Sequence, residues 1–140
     1  MITYYVLGFM FSYDLKQVAL IRKSHPEWQK GKLNGIGGHI EENETEIRAM
    51  MREFAEETGY FEPNWALVGK IIRHFRNSVV TVFMTTGELD KLKTTTDEKI
   101  EIINVSEVFS QKDDNLMLNL KWMIPICLDP DNPKNFVVNY

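Results

Sequence analysis

Apolar positions along the chain fall into runs of two different periods. Tyr4 to Phe11 is almost continuously aromatic or branched, and after Ser12, Asp14 and Lys16 the same character returns in Val18, Ala19, Leu20 and Ile21. This predicts a strand, a short turn and a second strand. From Lys23 to Gly38 the periodicity stops, and Pro26, Gly31, Gly35, Gly37 and Gly38 predict a long loop with a tight, glycine-bearing end. Ile47, Met50, Met51 and Phe54 then recur at i, i+3, i+4 and i+7, the spacing of a buried helix stripe. Asn43 followed by Glu46 has the form of a capping box, and Gly59 stands where the helix should stop.

Leu67 to Phe75 and Val79 to Thr86 predict two strands of a hairpin turning at Arg76, Asn77 and Ser78. Leu89 to Asp97 is polar and reads as a loop, and Ile100 to Val105 as a strand. Leu116 to Leu128 begins as a helix with Leu116, Leu120, Met123 and Ile124 on one side, which Pro125 should kink or end. Phe136 to Val138 closes the pattern as a short strand. The sum is one mixed domain over residues 1–140, strands interrupted by helices.

Composition narrows the function classes. With 140 residues, a hydrophobic share of 44% and a charged share of 26%, the chain has enough core to fold without disulfide or structural metal. Its formal charge of -4 offers no uniform field for a polyanion, so a nucleic-acid polymer is not the expected partner, although a local basic groove remains compatible. Cys127, flanked by Ile126 and Leu128, reads as an inert buried thiol and points to the cytoplasm. The run from Tyr4 is too short to span a bilayer and lacks a basic leader, so neither export nor membrane insertion is expected. Monomer and homodimer both fit.

The chemistry lies on the predicted helix. At about 100° per residue, Glu46, Glu53, Glu56 and Glu57 share roughly a third of the circumference, opposite Ile47 and Phe54. Glu53 and Glu57 are a like-charge i, i+4 pair, relieved partly by Arg48 and Arg52 and more fully by a divalent cation. Mg2+ takes oxygen ligands and leaves positions for water and phosphate.

The segment from Gly38 to Tyr60 closely resembles the Nudix box, G-x5-E-x7-R-E-U-x-E-E-x-G-U with U aliphatic. Gly38, Glu44, Arg52, Glu53, Glu56, Glu57 and Gly59 stand at the required positions, whereas the two U positions hold the aromatic Phe54 and Tyr60. The resemblance implies an α/β/α sandwich, with a mixed sheet between helices, and a hydrolase acting on a nucleoside diphosphate linked to another moiety with Mg2+ or Mn2+. It implies Glu53, Glu56 and Glu57 as metal ligands, Glu44 in the outer shell and the Gly37 or Gly38 carbonyl completing the site. Arg52 becomes the orienting residue. The general base is then either Glu57 or Glu98 on a distant loop, with Asp97 and Glu101 nearby.

Substrate choice is carried outside the box. The run from Leu33 to Gly38 resembles the N-G-x-G-G entry of MutT-like members that hydrolyse oxidised purine nucleoside triphosphates, such as 8-oxo-dGTP. In that reading Asn34 pairs with a base edge; in the other it is a turn residue. Arg22 and Lys23 are candidates for phosphate contact or surface cations, and Trp122 for base stacking or core. His39 reads as a loop residue with substrate phosphate in reach. Proline and tyrosine, associated in the family with ADP-ribose and dinucleoside-polyphosphate substrates, are absent between Trp65 and Glu88. The expectation is a nucleoside triphosphate pyrophosphohydrolase, with an ADP-ribose hydrolase or a non-catalytic nucleotide sensor as alternatives.

Overall fold

β1 (Thr3–Phe11) is extended because its aromatic and branched residues suit a strand covered on both faces. In the computed structural model, which describes residues 1–112, 114–132 and 134–139, it lies inside an eight-stranded mixed sheet. The other strands are β2 (Gln17–Arg22), β3 (Leu33–Asn34), β4 (Ile36–His39), β5 (Ala66–Arg73), β6 (Ser78–Thr86), β7 (Lys99–Asn104) and β8 (Phe136–Asn139). Parallel β6 takes one edge of β1 along its whole length, from Thr3 opposite Ser78 to Phe11 opposite Thr86. The other edge is divided: Tyr5 to Gly8 pair with β4, and Met10 and Phe11 with β2. β2 also pairs with β3 and β7, while β5 joins β6 to β8.

Alternation along the strands sends side chains into two cores. Val6, Met10, Ala19 and Ile21 pack against Ala49, Met50 and Phe54 of α1 (Glu46–Thr58). On the other face Leu7, Phe9, Phe11, Val18 and Leu20 meet Val108 of α2 (Val105–Val108) and Leu120, Met123, Ile124 and Cys127 of α3 (Leu120–Leu128). Helix, sheet and helix form the expected α/β/α sandwich. Burial pushes the Cys127 thiol up to about 12, which keeps it protonated and inert.

Several local expectations are corrected. The stretch Lys23 to Gly38 is not all loop: β3 and β4 lie within it, because backbone pairing to β2 and β1 compensates for weak side-chain patterning. The cap of α1 is Thr45, whose hydroxyl accepts from the Arg48 N–H at 3.3 Å, and not Asn43. Asn43 has φ 63, a left-handed conformation that asparagine tolerates, and makes the preceding turn. Glu46, expected to answer the cap, instead accepts from the Thr81 hydroxyl and lies 3.5 Å from Lys70 Nζ. Gly59 does end the helix, with φ 71 and its N–H on Ala55 O at 2.9 Å.

Within the α1 stripe Met50 and Phe54 are fully buried, but Ile47 and Met51 are only half-buried at the border of the core. α3 starts at Leu120 because Leu116 bridges to Leu33 and is committed to that pairing. It also continues through Pro125 to Leu128, its apolar face holding the last turn in the core. Among the described residues no helix is long and apolar enough to cross a membrane.

Candidate active site

A cleft of about 670 Å3 opens between β4, the carboxylate face of α1 and the loop before β7. Gly37 and Gly38 form one wall as part of β4. A Cβ at Gly37 would strike the Val6 carbonyl, and one at Gly38 would occupy the place of the Glu53 carboxylate. Glycine is therefore required where strand and acidic helix approach most closely.

Arg52 organises the acids. Its Nε and Nη2 donate to the two Glu44 carboxylate oxygens at 2.7 and 2.9 Å, Nη1 donates to Glu53 at 3.0 Å, and Nη2 also reaches the His39 carbonyl at 2.9 Å. One guanidinium thus ties the turn after β4 to the helix through charge-assisted bonds. It holds the Glu44 carboxyl down at about 2, and its own pKa is raised, first by Glu44 and then by Glu53.

Glu53 and Glu57 both line the cleft. Burial raises the Glu53 carboxyl above its ordinary value, against the opposing pull of Arg52. Burial also raises Glu57, opposed by the Thr96 hydroxyl, which donates to it at 2.9 Å, and reinforced by the charge of Glu98. Two partly desolvated carboxylates are thus held one turn apart, with Arg52 and Lys23 as the cations that act on them. Glu56 is placed differently: its side chain is 57% exposed, 3.5 Å from Arg52, and is not part of the cleft wall.

Glu98 is only 3% exposed and lines the same cleft. It accepts from the Ser24 N–H at 2.7 Å and from Lys23 Nζ at 3.0 Å. Burial works to raise its carboxyl, but the Ser24 N–H, Lys23 and the His25 N–H outweigh it and hold the group below its ordinary value. Glu98 is a fixed anion that ties the end of β2 to the start of β7. Lys23, just past the end of β2, lines the cleft, whereas Arg22, the last residue of the strand, is engaged elsewhere, with bonds to Glu101 at 2.7 and 2.9 Å and to Asn115 Oδ1 at 2.7 Å.

Asn34 also lines the cleft: its Nδ2 donates to Gln29 at 3.2 Å and its Oδ1 accepts from the Gly35 N–H at 2.8 Å, so Asn34 makes a local turn bond and still borders the cavity. Trp122 packs against the core beneath α3 and does not line it. Sequence reasoning passed over several residues found here. Asn119, immediately before α3, has a buried Oδ1 with no hydrogen-bond partner among the described residues. Trp28 carries the Arg76 guanidinium on its ring at 3.9 Å from the centroid, and Tyr5 lies between His39, at 4.5 Å, and Arg73, at 5.6 Å. Thr96 lies in a polar loop whose sequence carries no signal of its bond to Glu57. Asparagine directly before an apolar helical run was the one available signal, as an N-cap reading of Asn119.

Among the described residues no three acidic, histidine or cysteine side chains converge closely enough to hold a metal alone. Glu53 and Glu57 beside the Gly38 backbone nevertheless form a hard-oxygen donor set of the kind Mg2+ uses when phosphate and water complete its shell. The residues fit such an ion in the company of a phosphorylated substrate.

A family model described as NUDIX domain matches residues 4–122. No curated protein matches the chain. Among solved structures, the mutator MutT protein from Bacillus halodurans is 22% identical with TM-score 0.74, covering 99% of this chain and 90% of its own. The NUDIX domain of Shewanella oneidensis NrtR, solved with ADP ribose, is 18% identical with TM-score 0.76, covering 91% and 86%. A NUDIX hydrolase from Nitrosomonas europaea is 14% identical with TM-score 0.75, covering 99% and 79%.

Proposed function

The chain belongs to the Nudix hydrolase family, whose members act on phosphoanhydride bonds, and from that membership we propose that it is a pyrophosphohydrolase of nucleoside triphosphates. The observation that carries this reading is the mixed lining of the cleft, where the carboxylates of Glu53 and Glu57 share one cavity with the amides of Asn34 and Asn119, the latter with a buried oxygen unpartnered among the described residues. A buried carbonyl oxygen without a donor favours a ligand that brings an N–H, as a purine edge does. An oxidised purine, which carries an additional ring N–H, suits it further.

In this reading Glu53 and Glu57, with the Gly38 backbone, would hold Mg2+ or Mn2+, and Glu56 would join at the rim. The ion, when bound, neutralises charge on the phosphates and lowers the pKa of water. Arg52 keeps Glu53 ionised and aimed, with Glu44 as its counterweight. Lys23 lines the cleft as a cation for a phosphate oxygen. Of the two candidate proton acceptors for the attacking water, Glu57 is the more open, with one hydroxyl donor from Thr96; Glu98, saturated by Ser24 and Lys23, serves to position Lys23. Attack yields the nucleoside monophosphate and pyrophosphate, chemistry that demands positioning and charge neutralisation above all.

The test is release of phosphate and pyrophosphate, with Mg2+ and with chelator, across canonical and oxidised nucleoside triphosphates, ADP-ribose, NADH and dinucleoside polyphosphates. Metal-dependent pyrophosphate release concentrated on a triphosphate is expected. The Shewanella neighbour, solved with ADP ribose, motivates the second reading, and turnover confined to ADP-ribose would transfer the assignment to it. Binding measured by calorimetry with no turnover anywhere would make the protein a nucleotide sensor.

A further inference from the structure

The last carbonyls of a helix have no partner within it and take one from outside or from water. At the end of α1 the Ala55 carbonyl accepts from the Gly59 N–H, but those of Glu56 and Thr58 are met from elsewhere in the chain, by the Thr95 hydroxyl and by the Lys93 N–H at 3.0 Å. The methyl of Thr95 also stands against Gly59, where an added Cβ would meet it at 3.4 Å. Thr95 lies 39 residues beyond Glu56, so a distant loop caps the helix that carries Glu53 and Glu57.

Thr94, Thr95 and Thr96 are exposed, where water would satisfy their hydroxyls, yet all three are spent on the protein. Thr94 Oγ1 accepts from the Ile100 N–H at 3.0 Å and folds the loop back onto β7. Thr95 holds the Glu56 carbonyl. Thr96 donates to the Glu57 carboxylate at 2.9 Å and accepts from the Glu98 N–H at 3.1 Å, so one hydroxyl links the two residues that compete as proton acceptor. Glu98 in turn accepts from the Ser24 N–H and Lys23. Helix end, threonine loop and the segment after β2 thus form one continuous line of bonds along the cleft. Glu57 and Glu98 line that cleft as like charges, so attraction between them does not set their separation.

We propose that residues 93–96 are a positioning clamp, with Thr95 as its anchor, which caps α1 from outside and thereby fixes the spacing between Glu57 and Glu98. The Thr95 hydroxyl bonds to backbone and to neither carboxylate, so its influence on the site passes through the Glu56 carbonyl and the placing of Thr96. The proposal deepens the hydrolase reading, on which its kinetic consequence rests. A misplaced acid costs rate in a reaction that depends on positioning, while contacts that bind the nucleotide are left as they were.

The experiment compares Thr95→Val, which keeps the branched shape and loses the hydroxyl, with Thr95→Ser, which keeps the hydroxyl. Amide hydrogen exchange, followed by nuclear magnetic resonance, is the first readout. In the valine variant the amides of Glu98 and Ser24 are expected to exchange about five- to tenfold faster, the order of one lost hydrogen bond, with that of Phe54 inside α1 unchanged; serine should restore the original rates. A cap that serves the helix alone would speed only the Gly59 amide. That result, unchanged exchange at Glu98 and Ser24, a uniform acceleration that includes Phe54, or failure of serine to restore the rates would overturn the proposal. On a nucleoside triphosphate that the protein hydrolyses, the valine variant should lose about tenfold in kcat at unchanged KM, and an unchanged kcat beside accelerated amides would overturn it as well. Exchange needs no turnover, so the two readings separate. The exchange pattern without hydrolysis of any nucleotide removes the reaction and keeps the clamp; hydrolysis without the pattern does the reverse.

Discussion

Replacing Arg52 by methionine keeps the aliphatic stem and removes the guanidinium that holds the acidic turn to the helix. The guanidinium is 25% exposed, and the Glu44 and Glu53 side chains it serves are 14% and 13% exposed, so the pairs are mostly but not wholly out of water. Breaking a fully buried pair costs about 3–5 kcal/mol and a surface pair about 0–1 kcal/mol, which places this loss at about 2–4 kcal/mol. With a urea slope of about 2 kcal/mol/M, the middle of the range for a small protein, the unfolding midpoint at pH 7 should fall by about 1–2 M.

The pH dependence gives the mechanism away. Glu44 is held down at about 2 against an ordinary 4.5, so its contribution is complete above 4.5 and is lost as pH falls towards 2. Glu53, already raised by burial, loses its counterweight in the variant and rises further; its cost there is relieved as acid protonates it. Both groups narrow the gap between wild type and variant as pH falls. Urea unfolding at pH 7 and pH 3 reads this directly. A gap under about 1 kcal/mol at neutral pH, or one that does not change with pH, would refute the view that Arg52 acts by pairing these acids.

Three further outcomes are expected. Glu57→Gln should abolish most metal-dependent turnover while leaving the melting temperature unchanged or higher, since it removes a charge that Glu53 and Glu98 repel; a fully active variant would remove Glu57 from the site. Phe54→Ala, emptying a fully buried ring packed edge-on against Trp65 at 5.0 Å, should cost about 3–5 kcal/mol in denaturant unfolding, and a negligible loss would contradict the packing. Thr96→Val should weaken Mn2+ binding, followed by electron paramagnetic resonance, by about 10- to 100-fold, because its hydroxyl orients Glu57 at 2.9 Å; Thr96→Ser should restore it, and an unchanged affinity in the valine variant would show that the hydroxyl is incidental.

The acidic helix was legible from the chain alone because its logic is local. A 3.6-residue period gathers Met50 and Phe54 into one buried stripe and sets Glu53, Glu56 and Glu57 beside it on the flank, whatever lies beyond. The nearly continuous apolar runs of Tyr4 to Phe11 and Val18 to Ile21 likewise dictated strands covered on both faces, and the two cores follow from them. Local signals failed where pairing overrode them. β3 and β4 form in a glycine-rich stretch because β2 and β1 present free edges, and Leu116 leaves its helix to bridge Leu33.

What only the tertiary structure decided is which distant groups meet. Glu98 lies more than seventy residues from Ser24, yet the β2–β7 pairing brings its carboxylate onto the Ser24 N–H and Lys23, turning an apparent loop acid into a buried anchor. The same pairing sends Arg22 to Glu101 and leaves Lys23 in the cleft. Asn119, Trp28 and Arg76 come from three unrelated loops, and nothing in their spacing signals that they border one cavity. Helical and strand periods are properties of backbone geometry within a segment, so the sequence determines the faces. Which faces close around a ligand depends on strand register and loop docking, which the folded chain settles collectively.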